Sequence, residues 1–491
     1  MSMQAGRVAA LVVLSTVCGA SLGQAIGPDM VSSSMVDVAR YGTDPTGTIT
    51  AYAVGSVTCN KGDQPAIVSS GAIRPLIGQN MYRLKTFTSP GGGTYSRLEQ
   101  VGQSWAKRVG LPINGNTVSC GACAGSAGSG MMNVNCADTY GSGFNGSQGL
   151  LGPRSMCNAT RGDTLGGAGT SIGDSITRGR LQVPTADVTA QPAGTRFFVE
   201  NVTLLPDDAQ HVRPGQTVGV NAMNNASSQE VGINGGVSNP TLIGGTGAGG
   251  SAIGVPMLER WRQIDPEVTV VTVDHDDFVN PSPEFPGTFI RSRFYVAARV
   301  TELSPGRWRY EYALFNLNSD RSAGAFIIPM HDVGEVTEYS FRHPLYHSGE
   351  PYSNMPWSAA RSNGEMSFAT TPFATNPNAN ALRWGTTYSI GFTSNVPPGT
   401  GSGRLELFKP GTAGPALTVP GIPVPTLEPC PQDYDGDGEF VDADIEAFFA
   451  CIGGHCCPRC FPGRSDFNLD GDSGTDQDIE GFFRVIGGNP C

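Results

Sequence analysis

Apolar and polar positions alternate in short runs along most of this chain, at the period of two that places every second side chain on one face of a strand. β-Branched and aromatic residues collect at 49–57, 196–205, 268–273 and 289–303, each run bounded by turn residues, and these segments are expected to be strands. The clearest pair is 289–303 with 308–317, joined by Ser304-Pro305-Gly306-Arg307, where Pro and Gly stand as a hairpin turn places them. In its second strand Trp308, Tyr310, Tyr312 and Leu314 fall on one face while Arg309, Glu311 and Ala313 fall on the other, which predicts one buried face and one wet face. No long helical periodicity runs through the body, so the expected fold class is mainly β, an antiparallel β-sandwich of one or two domains followed by a small α-helical module at the C-terminus. Two Gly-rich stretches, 115–157 and 232–254, interrupt the pattern and are expected to be long surface loops, the first stapled by disulfides.

The period changes near the C-terminus. Ile445, Phe448, Phe449 and Ile452 stand at i, i+3, i+4 and i+7, and Ile479, Phe482, Phe483 and Ile486 repeat the spacing, which predicts two short amphipathic helices able to bury each other's stripes. An acidic loop precedes each helix: Asp433-Tyr434-Asp435-Gly436-Asp437-Gly438 comes before the first, and thirty-three residues on Asp466-Phe467-Asn468-Leu469-Asp470-Gly471 comes before the second. Oxygen-bearing side chains at alternate positions of a tight loop converge on one point, and the closing Gly permits the sharp turn, which is how an EF-hand type loop supplies the roughly six to eight oxygens that calcium takes. The ligands expected in the first loop are Asp433, Asp435, Asp437, the carbonyl of Glu439, and Asp444; in the second they are Asp466, Asn468, Asp470, the carbonyl of Asp472, and Asp478. Asp478 falls one residue later in its loop than Asp444 does, which leaves Asp476 as the alternative last ligand. Two calcium ions are thus expected in 430–491, and because the clustered carboxylates repel without metal, binding and folding should be coupled.

At these residues the tail resembles the dockerin family, in particular the Cys-containing, Gly- and Cys-ended dockerin-like domains at the C-termini of secreted planctomycete-type bacterial proteins. The match covers 430–491 and rests on the doubled Asp-x-Asp/Asn-x-Asp-Gly with Asp-Ile-Glu-x-Phe-Phe. The resemblance implies a pair of calcium-filled loops that bind a cohesin-like receptor module or another cell-surface protein, anchoring the body to a surface or a multiprotein assembly. The cysteine cluster from Cys451 to Cys460 and the longer second loop depart from ordinary dockerins. The body is similar to secreted proteins of unknown function that carry this tail, in phrases such as Ile77-Gly78-Gln79-Asn80-Met81-Tyr82-Arg83-Leu84 and Asn380-Ala381-Leu382-Arg383-Trp384-Gly385, and that likeness supplies no activity.

Arg7, the apolar run 8–17 and the small residues ending at Gly23 read as a secretory signal peptide over 1–23, so the protein is expected to be secreted and to stay extracellular or at the cell surface. The run falls short of the roughly 20 apolar residues that span a bilayer, and no later run is long enough, so no membrane insertion is expected. Cys18 goes with the signal; Val17 is bulky where a lipoprotein signal has a small residue. Export favours disulfides over zinc or free thiols for the remaining cysteines, five early (Cys59, Cys120, Cys123, Cys136, Cys157) and six in the tail, and the even tail assigns the odd one to the body. From 430 to 491 thirteen Asp and Glu stand against three Arg, ten of the chain's net twelve negative charges, so the body is near neutral and has no basic cluster for nucleic acid. The expected borders are a body over 24–408, in which a division near 180–196 is allowed, a Pro- and Gly-rich linker over 409–429, and the calcium module over 430–491.

Several constellations in the body have the composition of a catalytic or binding site. Gly169-Thr170-Ser171-Ile172-Gly173 and Gly173-Asp174-Ser175-Ile176 match esterase patterns, with Asp208-Ala209-Gln210-His211 beyond, but the flanks are loop-like and leave no room for alternating α/β units. Asp274-His275-Asp276-Asp277, with His331, Asp332, His343 and His347, resembles a metal cluster in composition; adjacent strand residues point to opposite faces, so a polar strand-end loop is expected instead. Cys120-x2-Cys123 with Cys136 and Cys157, and Cys457-x2-Cys460 with Cys456 and His455, have zinc-like spacing, against which export favours disulfides. Tyr346, Tyr352 and Trp357 are the candidates for stacking on sugars, and sandwich cores use the same residue types. A glycosidase needs two facing carboxylates; Glu200, Asp276, Glu302 and Glu311 are available, and no spacing singles out a pair. The expected function is a secreted, non-catalytic β-sandwich protein attached through a calcium-dependent module, and the alternative is a polysaccharide-acting hydrolase or a carbohydrate-binding protein with the same tail.

Overall fold

The computed structural model describes residues 26–69, 74–108, 119–147, 151–164, 173–213, 215–235, 238–244, 250–283, 285–330, 334–412, 414–426, 431–435, 441–457, 460 and 465–489. The segment 1–23, the elbow at 169–172, His331, Asp332, Cys430, Asp437, Glu439 and Cys491 lie outside them.

The body is mainly β, and its strands stack in three antiparallel layers. An eleven-stranded sheet follows the path Met30–Thr43, Ile49–Asn60, Leu181–Pro184, Thr94–Gln103, Leu76–Thr88, Arg196–Leu204, Ala226–Gly232, Thr241–Leu242, with Ala106–Arg108, Ala137–Tyr140 and Leu151–Gly152 paired off this path. Two five-stranded sheets come next in the chain. The inner one runs Thr269–Val279, Thr288–Ser304, Arg307–Asn316, Thr386–Ser394, Val336–Arg342, and the outer one Ser358–Ser362, Glu365–Ala369, Ala323–Pro329, Pro398–Leu407, Ala416–Pro425. The period of two along Thr288–Ser304 places the layers. Phe294, Val296 and Ala298 enter a sandwich core with Phe326 and Phe368 of the outer sheet, while Tyr295 and Ala297 enter a second core with Tyr82, Leu98 and Phe198 of the large sheet. Helix Met257–Ile264 closes the second core with Met257, Leu258 and Trp261.

The expected hairpin forms between Thr288–Ser304 and Arg307–Asn316, with Gly306 at φ 73° in the turn and a bulge between Glu302 and Ser304. Its second face is not wet. Arg309 is 1% exposed and Glu311 2%, because the large sheet covers the side of the inner sheet that a two-layer sandwich would leave in water. The charges are neutralised in place. Glu311 accepts from Arg97 Nε at 2.7 Å and Arg309 Nε at 2.6 Å, Arg97 also reaches Glu99, and Arg83 links Glu99 to Asp187.

Two further stretches differ from the sequence expectation. Residues 180–196, where a division was allowed, supply Leu181–Pro184, which pairs with Ile49–Asn60 and Thr94–Gln103 inside the large sheet. Residues 409–429, expected as a connector, contain the edge strand Ala416–Pro425, whose Val419, Ile422 and Val424 are buried in the sandwich core. Prolines masked this strand in the sequence, but an edge strand tolerates them because its outer N–H groups need no partner. No helix among the described residues is long and apolar enough to cross a membrane.

Lys107 enters the interior without an ion pair among the described residues. Lys107 is fully buried and donates to the carbonyls of Asn145 (2.7 Å) and Gly179 (3.1 Å). Burial, followed by the charges of Arg180 and Arg154, pushes its amine down to about 7. An unfolded lysine titrates near about 10.4, so between these values the unfolded chain holds a proton that the folded chain has released, and stability rises with pH. Urea midpoints at pH 7.5 and 9.5 are expected to show this rise in the native chain and a smaller one in Lys107→Met; equal slopes in the two proteins would refute it.

Candidate metal centre in the C-terminal unit

The helices expected in the tail are present as Asp442–Ile452 and Asp476–Ile486. Phe448 and Phe482 stack with centroids 4.1 Å apart, and the second residue of each loop completes the cluster edge-on, Tyr434 at 5.3 Å from Phe448 and Phe467 at 5.2 Å from Phe482. Phe449 and Phe483 do not join the buried stripe. They are 42% and 49% exposed, with centroids 6.1 Å apart, and Cys451 and Val485 are buried in the core instead. Each lies about 100° around the helix from the Phe before it, so the two neighbours cannot both face the partner helix.

Each helix is tied to its loop by one buried carboxylate. Asp444 accepts from the backbone N–H groups of Tyr434 (2.6 Å), Asp435 (3.1 Å) and Val441 (2.9 Å). Asp478 repeats the pattern with Phe467 (2.7 Å), Asn468 (3.4 Å) and Thr475 (2.8 Å), and also accepts from Thr475 Oγ1. Asp478, not Asp476, therefore stands in the place of Asp444, and Asp476 is exposed on the first helical turn. The extra residue of the second loop is taken up between Asp470 and Thr475, where Gly471 (φ 101°) and Gly474 (φ 67°) adopt left-handed conformations.

In the first loop, carboxylate oxygens of Asp433, Asp435 and Asp444 lie within 4.8 Å of one another. Two oxygens bound to one calcium at about 2.3–2.6 Å can be no more than roughly 5 Å apart, so these three fit around a single ion. In the second loop Asp466 accepts from the N–H groups of Asp470 and Gly471, both at 3.0 Å, and Asn468 Nδ2 donates to Asp470 Oδ2 at 2.9 Å. The N–H of Asp472, and then Asn468, hold the Asp470 carboxyl below the usual carboxylate range; Asp472 itself is exposed. The donors are all oxygens, as a hard cation requires.

The body's candidate sites are dispersed. Asp274-His275-Asp276-Asp277 lies inside strand Thr269–Val279 rather than in a strand-end loop: Asp274 pairs with Arg293 and Asp276 with Arg291 on one face, while His275 turns inward to Ser319 and Asp277 to Arg321. His343 and His347 are buried against backbone carbonyls, and burial lowers both, His347 to about 4. Asp174 accepts from the N–H groups of Ile176 and Thr177 in its own turn, and His211 meets Asp207. The zinc-like cysteine sets are divided among bridges Cys59–Cys120, Cys123–Cys136, Cys451–Cys456 and Cys457–Cys460, while Cys157 is buried outside them. Tyr346 and Trp357 are core residues, and the Arg383 guanidinium covers Tyr352 at 4.0 Å, so these rings form no platform for a sugar. Glu200 is buried under Tyr82, Asn80 and the N–H of Met257, Glu311 lies between arginines, Asp276 pairs with Arg291, and Glu302 is exposed, so no two of them face each other across a cleft.

No family model matches this chain, and no curated protein does. Among solved structures, the N-terminal domain of the Streptococcus gordonii adhesin Sgo0707 aligns at 8% identity over 82% of this chain and 96% of that one, with a TM-score of 0.18. At that score the likeness bears on neither fold nor function.

Proposed function

We propose that this chain is a secreted, non-catalytic β-sandwich protein held at a cell surface or in an extracellular assembly by its dockerin-like C-terminal unit, which binds two calcium ions. The observation that carries this reading is the matched pair Asp444 and Asp478, each drawing an acidic loop onto the start of a helix. Asp433, Asp435, Asp437, the carbonyl of Glu439 and Asp444 hold one ion; Asp466, Asn468, Asp470, the carbonyl of Asp472 and Asp478 hold the other. The partner is a cohesin-like module or another surface protein. Phe449 and Phe483 offer it two adjacent exposed rings, and aromatic side chains are common anchors of such interfaces.

A fusion of residues 426–491 to a fluorescent reporter, added to cells that make this protein, is expected to label their surface or extracellular assemblies in calcium and to wash off in EGTA. Labelling that survives EGTA, or that persists in the Asp433→Ala, Asp466→Ala double variant, would count against the reading.

A further inference from the structure

A second set of oxygen donors lies in the body, at the N-terminal edge of the large sheet. Asp29 precedes the first strand, Asp208 sits on helix Pro206–Gln210, and Asn224 and Asn225 close the turn Asn221–Asn224. Asp208 is 2% exposed and Asn225 1%, and Asp29 is buried with them. The amides reach into the carboxylates: Asn225 Nδ2 lies 2.7 Å from Asp208 Oδ2, and Asn224 Nδ2 lies 3.1 and 3.2 Å from the two oxygens of Asp29. Three oxygens are left over. Asp208 Oδ1, Asn224 Oδ1 and Asn225 Oδ1 are buried and meet no hydrogen-bond donor among the described residues. Buried polar atoms are seldom left so, and each of the three calls for a partner.

The surrounding charges do not supply it. Asp207 is engaged by the N–H of Ile67 at 2.9 Å and by His211 at 3.3 Å. Lys61 acts on Asp29 from the side, but its Nζ donates to the carbonyl of Cys120 at 2.8 Å. Burial pushes the Asp29 carboxyl up to about 6, and burial together with the charge of Asp29 pushes Asp208 well above the usual range, with the Met30 N–H acting weakly against it.

We propose that Asp29, Asp208, Asn224 and Asn225 form a calcium site of the body, separate from the tail. Two carboxylates balance a divalent charge, and the two side-chain amides, whose nitrogens face the carboxylates here, would complete an all-oxygen set of the kind calcium takes in preference to zinc or copper once turned to present their oxygens. The O and N positions of an asparagine are interchangeable by a half-turn of the amide, so the same residues serve the carboxylates or an ion. The ion would pin the start of the first strand to the helix and the turn, three segments far apart in the chain.

Equilibrium dialysis against radiolabelled calcium tests this on the full chain carrying Asp433→Ala and Asp466→Ala, which disables the tail loops. This protein is expected to retain one calcium per chain, and adding Asp208→Asn is expected to release it. Asn225→Asp, which keeps an oxygen donor and adds charge, is expected to hold the ion about tenfold more tightly. The melting temperature of the tail-disabled chain should be higher in calcium than in EGTA, a reading that needs no change at the site itself. Absence of bound calcium in the tail-disabled chain, or calcium indifferent to both Asp208→Asn and Asn225→Asp, overturns the site and leaves a pair of carboxyls sharing a proton.

Discussion

Asp444→Ala and Asp478→Ala are each expected to unfold the C-terminal helices, whereas Asp476→Ala is expected to leave them intact. Each of the first two carboxylates is buried and accepts from three backbone N–H groups. A hydrogen bond to a charged group contributes about 1.5–3 kcal/mol, and a buried donor left without a partner costs a similar amount. A unit this small rarely has more than about 3–5 kcal/mol from its core, so losing either carboxylate removes as much as the whole unit has. Asp476 is exposed and its loss should fall within about 0.5 kcal/mol. Hydrogen exchange at the amides of 442–452 and 476–486 reads the difference directly. Protection in Asp444→Ala equal to that of the native chain would show that the loops are held by their disulfides and not by these carboxylates.

Glu311→Ala is expected to destabilise the body by about 3–5 kcal/mol, the cost of stranding a buried charge by deleting its partner. Here Arg309 loses its carboxylate partner and Arg97 keeps only the longer contact to Glu99. Arg97 reaches Glu311 through Nε at 2.7 Å and Nη2 at 2.9 Å, and Arg309 reaches it through Nε at 2.6 Å. Glu311→Gln keeps the volume and still removes the negative charge between the two arginines, so it should lie close to Glu311→Ala. Replacing the three together, Arg97→Met, Glu311→Leu and Arg309→Met, should recover most of the loss, because an apolar layer of similar volume replaces a triad whose desolvation already offsets most of its attraction. Guanidinium midpoints followed by tryptophan fluorescence check both steps. A loss under about 1 kcal/mol in Glu311→Ala would mean that water reaches the space between the inner and large sheets.

The strands and the tail were legible for the same reason, because local periodicity and local spacing carry them. The hairpin across Pro305-Gly306 needed only the alternation of Tyr310 and Tyr312 with Arg309 and Glu311, and the tail helices needed only the Phe448 and Phe482 registers. The sequence put Asp478 first and left Asp476 open as the alternative, since the choice turned on how Gly471 and Gly474 absorb one extra residue. The strand Ala416–Pro425 was out of reach, because its prolines mimic a linker until an edge position makes them harmless. Asp29, Asn224 and Asn225 carry no sequence signal at all, because no motif spaces residues so far apart in the chain.

By itself the sequence determined that the body is built of antiparallel strands and that two acidic loops each lead into a short apolar-striped helix. Both are properties of neighbours within a dozen residues, where the period of the backbone decides which side chains share a face. Only the tertiary structure decided that Arg309 and Glu311 are interior, that Tyr346 and Trp357 belong to the core, and that Asp29 and Asp208 lie in one buried cluster. A strand's alternation says that its two faces differ, not what covers each of them, and the covering layer comes from residues hundreds of positions away.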